Sequence, residues 1–191
     1  MNVATQISGN IRPGNKALFA LKTMLAHIGI NVTQPIQDES FFYKTNMNAA
    51  WQHYDREVEF YKSIEISAFH IVYNDGPISN EIGLQILYAM MKERPILMTG
   101  MPLFADDLSL FIRDTLTKHV REFHSINLPE LELTELSRLL SKLKPVSYSL
   151  SKSEKVLINA RVKGFFRNLV ARATPLQKTD SSETTIPAQE I

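Results

Sequence analysis

The chain has 191 residues, 44% apolar and 21% charged, with a formal net charge of +1, values that allow one domain with a sizeable core. Near-neutral charge excludes a nucleic-acid binder driven by bulk electrostatics, and the absence of cysteine excludes disulfides, thiolate metal sites and a cysteine nucleophile. No apolar run approaches the roughly 20 residues of a membrane span, and MNVATQISGN lacks the basic and then apolar regions of a signal peptide, so a cytoplasmic protein with no membrane partner is expected.

VATQIS (Val3 to Ser8) reads as a first strand and GNIRPGN as the loop after it. In KALFALKTMLAHIG the apolar residues Leu18, Leu21, Leu25 and Ile28 recur every three or four positions, one face of an amphipathic helix, and Gly29 suits its C-terminal cap. INVTQPI reads as a second strand, so the opening is a strand–helix–strand unit of the kind that forms parallel strands. QDESFFYKTNMN reads as a loop, and AAWQHYDREVEFYKSI as a helix with Trp51, Tyr54, Val58 and Tyr61 on one side. ISAFHIVY is nearly continuous in apolar or small residues, as a strand buried on both faces must be. EIGLQILYAMMKE reads as a helix and RPILMTG as a strand. To Gly100 the pattern is an α/β domain with about four parallel strands, an open, flavodoxin- or Rossmann-like sheet flanked by helices.

Beyond Gly100 the character changes. ADDLSLFIRDTLTKHVREFHS, LPELELTELSRLLSKLK and SKSEKVLINARVKGFFRNLVARA are helix-like and are separated by Pro129 and Pro145. This mainly helical extension, residues 101–175, is either an appendage or further layers on the sheet. Residues 176–191 are polar and read as a disordered tail.

GNIRPGNK has P-loop glycine spacing at Gly9 and Gly14, but Asn15-Lys16-Ala17 follows where Lys-Ser/Thr is needed, so no hydroxyl is present to hold magnesium. The five histidines have no metal-ligand spacing, and no metal or cofactor is expected. His70, inside an apolar strand, reads as a core histidine. In an open parallel sheet ligands bind beyond the carboxyl ends of the strands. SGNIRPG, QPIQDES and NDGPISNE emerge there. The first offers backbone N–H groups and Arg12 to an anion or sugar hydroxyl. The third offers Asp75, Glu81 and a Gly76-Pro77 turn that lets backbone approach a ligand. Glu81 also reads as a first-turn carboxylate complementing the helix dipole, with Ser79 or Asn80 as N-cap. Gly83 allows close packing of helix on sheet.

Taken together, ISGNIRPGN, YDREVEFYKSI and NDGPISNEIGLQILYAMMKERPIL resemble the nucleoside 2-deoxyribosyltransferases and the related deoxynucleoside 5′-monophosphate N-glycosidases, over about residues 1–100. In that family the third strand leads through a loop to Glu-hydrophobic-Gly at a helix start, here Glu81-Ile82-Gly83. The N-glycosidases carry Gly-Ser-Ile-Arg after the first strand, here Gly9-Asn10-Ile11-Arg12. The resemblance implies an enzyme that cleaves the N-glycosidic bond of a nucleoside or nucleotide and passes the deoxyribosyl group to another base or to water. It implies Glu81 as nucleophile and a second acid to assist the departing base. The family places an aspartate on the preceding helix, where this chain offers Asp55, Glu57 and Glu59. Spacing back from Glu81 favours Glu57 if the loop is short and Asp55 if it is as long as in the transferases. Substrate contacts are implied for Ser8, Gly9, Asn10, Ile11, Arg12, Asp75 and Gly76. Asp75 favours a free nucleoside, because a carboxylate facing a phosphate is costly, whereas Arg12 favours a nucleotide. A homo-oligomer is implied as well, since neighbouring subunits often complete this family's pockets.

The chemistry suits the residues. Loss of the base leaves positive charge at the anomeric carbon, which a carboxylate beneath the sugar stabilises or attacks. The competing readings are a non-catalytic nucleotide-sensing domain of the same fold and an enzyme cleaving another N-glycoside such as NAD.

Overall fold

The computed structural model describes residues 3–9, 15–33, 47–74 and 76–174. Strands β1 (Val3–Gly9), β2 (Ile30–Thr33), β3 (Phe69–Tyr73), β4 (Ile96–Thr99) and β5 (His124–Ile126) form one sheet in the order β2-β1-β3-β4-β5. All four pairings are parallel. The helices are α1 (Lys16–His27), α2 (Met47–Ile66), α3 (Asn80–Met91), α4 (Leu110–His119), α5 (Leu133–Leu140) and α6 (Lys152–Ala173). This is the doubly wound α/β arrangement, and the direction in which successive strands are added to the sheet reverses between β1 and β3.

Local chemistry explains the element ends. Asn15 caps α1 by accepting from the Leu18 N–H at 3.1 Å, and Gly29 follows the helix at φ +77°, a left-handed conformation that glycine adopts without strain. Leu18, Leu21 and Leu25 are buried, as their spacing predicts. Ser151 and Glu154 form a reciprocal capping box at the start of α6. All of β3 and β4 is buried, in keeping with helices on both sheet faces.

Side chains alternate between two cores. Ile7, Phe69, Ile71, Tyr73, Leu97 and Ile126 pack with α1 and α5. Val72, Ile96 and Met98 pack on the opposite face with α2, α3 and α4, and Ile158 and Val162 of α6 join this second core. The last helix therefore packs on α2 and α3 and shares their core rather than standing apart as an outlying appendage. Val146 N–H donates to the Glu93 carbonyl at 3.1 Å and the Tyr148 hydroxyl to the Arg94 carbonyl at 3.0 Å, tying the segment before α6 to the start of β4.

Three expectations change. The run ending in HS was read as helix throughout, yet its last residues enter β5, which pairs with β4. Three residues are too few to show a period of two, and only β4 makes them a strand. The stretch ISAFHIVY starts its strand late, at Phe69, because α2 continues to Ile66. Gly83 serves helix-on-helix rather than helix-on-sheet packing: a Cβ there would meet Ile112 Cγ2 of α4 at 2.5 Å. The loop expected at 37–48 falls largely, and the tail at 176–191 entirely, outside the described residues. Among the described residues no helix is long and apolar enough to cross a membrane.

Candidate active site

The carboxyl ends of β1 and β3 lie side by side, with Ser8 opposite Val72 and Gly9 opposite Tyr73. Gly9 is at φ +142°, and a Cβ on it would stand 2.0 Å from the Tyr73 carbonyl oxygen. No larger residue fits that close approach. The crevice outside such a reversal point is where open α/β sheets bind ligands.

Three elements send polar side chains to this place. Ser8, Gln85 of α3 and Glu57 of α2 are 2%, 5% and 4% exposed, unusual burial for such groups unless they are paired. Ser8 Oγ donates to Gln85 Oε1 at 2.7 Å. Gln85 and Glu81 are in turn hydrogen-bonding neighbours of the Glu57 carboxyl, whose Oε2 has no partner. Glu81 and Gln85 are four apart on α3, so they share the helix face that meets α2. Ser79 caps α3 by accepting from the Ile82 N–H, which puts Glu81 in the first turn. Glu81 itself is exposed.

Burial raises the Glu57 pKa from 4.5 to about 8, and the charge and hydrogen bond of Glu81 add to the rise. The Gln85 hydrogen bond and the charge of Arg56 oppose it. Two adjoining carboxyls cannot both ionise cheaply. Burial thus favours the protonated form of Glu57 near neutral pH. His53, four residues before Glu57 and half-buried, senses the same charges. Burial lowers its pKa, Glu81 opposes that, and Arg56 and Arg172 reinforce it. Arg172 stands near the end of α6, so the last helix contributes charge to this region.

No family model matches the chain, and no curated protein does. Among solved structures, the CMP N-glycosidase BcmB of Clostridium botulinum matches over 72% of this chain and 98% of its own, at 14% identity and a TM-score of 0.41. A likeness that distant carries no argument about chemistry, so the site is read from its own residues.

Of the three acids offered on α2, Glu57 meets Glu81. Asp55 is exposed, two residues and about 200° around the helix from Glu57. Glu59 is exposed and paired with Lys62 at 3.0 Å. Of the expected substrate contacts, Ser8 is buried in the Gln85 hydrogen bond, and Gly9 ends β1 against Tyr73. Gly76 is half-buried in a bend. Asn10, Ile11, Arg12 and Asp75 lie outside the described residues. Among the described residues no cluster of three or more acids and histidines could hold a metal ion. His70 is fully buried, its pKa lowered to about 3 by that burial, and it sits edge-on to Phe60. Neither ring nitrogen has a hydrogen-bond partner, so it is a core histidine but not a satisfied one.

Sequence reasoning passed over Gln85 and His53. The pairs His53–Glu57 and Glu81–Gln85 each have a four-residue spacing that puts both members on one helix face. That the two faces oppose each other is a tertiary fact.

Proposed function

We propose that the protein cleaves the N-glycosidic bond of a nucleoside or nucleotide, with Glu81 as nucleophile and Glu57 as the proton-bearing acid. The observation that carries this reading is a buried carboxyl, Glu57, beside the sheet's reversal point, its pKa raised by burial and by the exposed Glu81. Retaining glycosyl chemistry needs such an unequal pair. Glu81 attacks the anomeric carbon as the bond to the base breaks, and the Glu57 proton goes to the departing base. The glycosyl ester on Glu81 then yields to water in hydrolysis or to a second base in transfer. Gln85, held by Ser8, keeps the Glu57 carboxyl in place and favours its charged form, easing proton release.

Incubation with purine and pyrimidine deoxynucleosides and their 5′-monophosphates, with and without a second free base, tests this. Released base supports hydrolysis, and exchanged base supports transfer. The exposure of Glu81 favours a second reading, ligand binding without turnover. Saturable binding of these compounds with no base release would establish that reading instead.

A further inference from the structure

Alongside the acid pair, whose charges reach Tyr61, lies a groove that the proposed reaction does not use. It is a cavity of about 600 Å³ between α2, α3 and α6, and neither Glu57 nor Glu81 lines it. Its floor is aromatic. Phe166 packs edge-on to Tyr61 at 5.2 Å and to Tyr54 at 5.9 Å between ring centroids, and Tyr61 meets Tyr88 at 5.0 Å. Tyr54, Tyr88 and Phe166 remain half-buried, so ring surface stands open to solvent.

The rim is cationic. Lys62, Lys163 and Arg167 line it against one carboxylate, Glu65, and that carboxylate is already held by Lys92 at 2.6 Å and by the Tyr88 hydroxyl. Lys163 and Arg167 are exposed and four apart on α6, a spacing at which like charges repel. Lys62 has Glu59 for company, but that pair is exposed on both sides and weak.

We propose that this groove binds a small ligand joining a planar ring to an anionic group. The ring covers the tyrosine and phenylalanine edges, and the anion sits between Lys163 and Arg167, relieving their repulsion. The volume falls within the range of small-molecule sites, and a largely apolar lining with a few charged groups is their usual composition. A second copy of the chain fits less well, because a two-fold contact across the groove would set the cationic rims against each other.

The chain's single tryptophan supplies the readout: Trp51 lies edge-on to Tyr54, 5.8 Å between centroids. Phenyl phosphate should change its fluorescence saturably. Phenol, without the charge, and inorganic phosphate, without the ring, should each bind about tenfold more weakly or worse. The Lys163→Ala/Arg167→Ala variant, checked for fold by circular dichroism, should lose about tenfold in affinity, while Glu81→Gln should bind as the wild type does. The proposal is overturned by no saturable change, by unchanged affinity in the double variant, or by loss of binding in Glu81→Gln, which would move the probe to the acid pair. Sedimentation giving two chains in the wild type and one in the double variant would assign the groove to a second copy and overturn it too.

Discussion

Replacing Glu57 by glutamine tests the buried proton directly. The unfolded chain releases that proton near pH 4.5, whereas the folded chain keeps it to about 8. Between those values the unfolded state binds fewer protons, so the group makes the wild type less stable as pH rises, with the full penalty above about 8. At about 1.4 kcal/mol per unit, the rise from 4.5 to about 8 sets an upper limit near 5 kcal/mol. Local relaxation around a buried charge reduces this, and a difference of about 2–4 kcal/mol is expected. Glutamine keeps the shape and the hydrogen-bonding groups but never ionises. Urea denaturation of both proteins at intervals from pH 5 to pH 9 should show a small difference at the acid end. The variant should then gain on the wild type with rising pH and level off above about pH 8. Taking the difference between the two proteins at each pH cancels titrations they share. A difference independent of pH would refute the protonated state, and with it the role of Glu57 as acid.

Four other outcomes follow from the same coordinates. Glu81→Gln should lower kcat/KM for base release by about 10³-fold or more while leaving the circular dichroism spectrum unchanged, since the side chain is exposed. Activity retained in the folded variant would refute the nucleophile. Ser8→Ala removes the buried donor to Gln85 and should cost about 1–3 kcal/mol by urea denaturation; a neutral substitution would mean that the hydrogen bond holds nothing. Gly83→Ala brings a methyl against Ile112 Cγ2 and should cost about 1–3 kcal/mol, a loss that shrinks in the Ile112→Ala background; additive losses would contradict the contact. Ile158→Ala should cost about 2–5 kcal/mol, because Ile158 is fully buried in the core that α6 shares with α2 and α3. A change within about 0.5 kcal/mol, as at a surface position, would return α6 to the status of an appendage.

Much of the site was legible as position. Glu81 in the first turn after the third strand can be read from chain order, whereas an acid on the preceding helix is what the family resemblance implies. The choice among Asp55, Glu57 and Glu59 cannot. All three sit on one helix, and which of them faces α3 depends on how α2 is rotated against the sheet. Trp51, Tyr54, Val58 and Tyr61 fixed one side of that helix in the sequence, but Tyr54, Val58 and Tyr61 line the groove beside α6 rather than the sheet core alone, and Trp51 is exposed. Gln85 went unnoticed because a single glutamine in an apolar helix carries no signal until Ser8 and Glu57 stand beside it.

By itself the sequence determined what depends on near neighbours: the apolar face of α1, the turn at Gly29, the unbroken apolar run of β3 and the alternation that makes a parallel sheet. These follow from hydrogen bonds and burial patterns spanning only a few residues. Tertiary structure decided what depends on distant partners. The three-residue β5 exists because β4 offers its edge, α6 became a layer because its apolar face found α2 and α3, and Glu57 holds a proton because folding took its carboxyl out of water and set Glu81 beside it. Such effects scale with solvent exclusion and distance in space, and linear order carries neither.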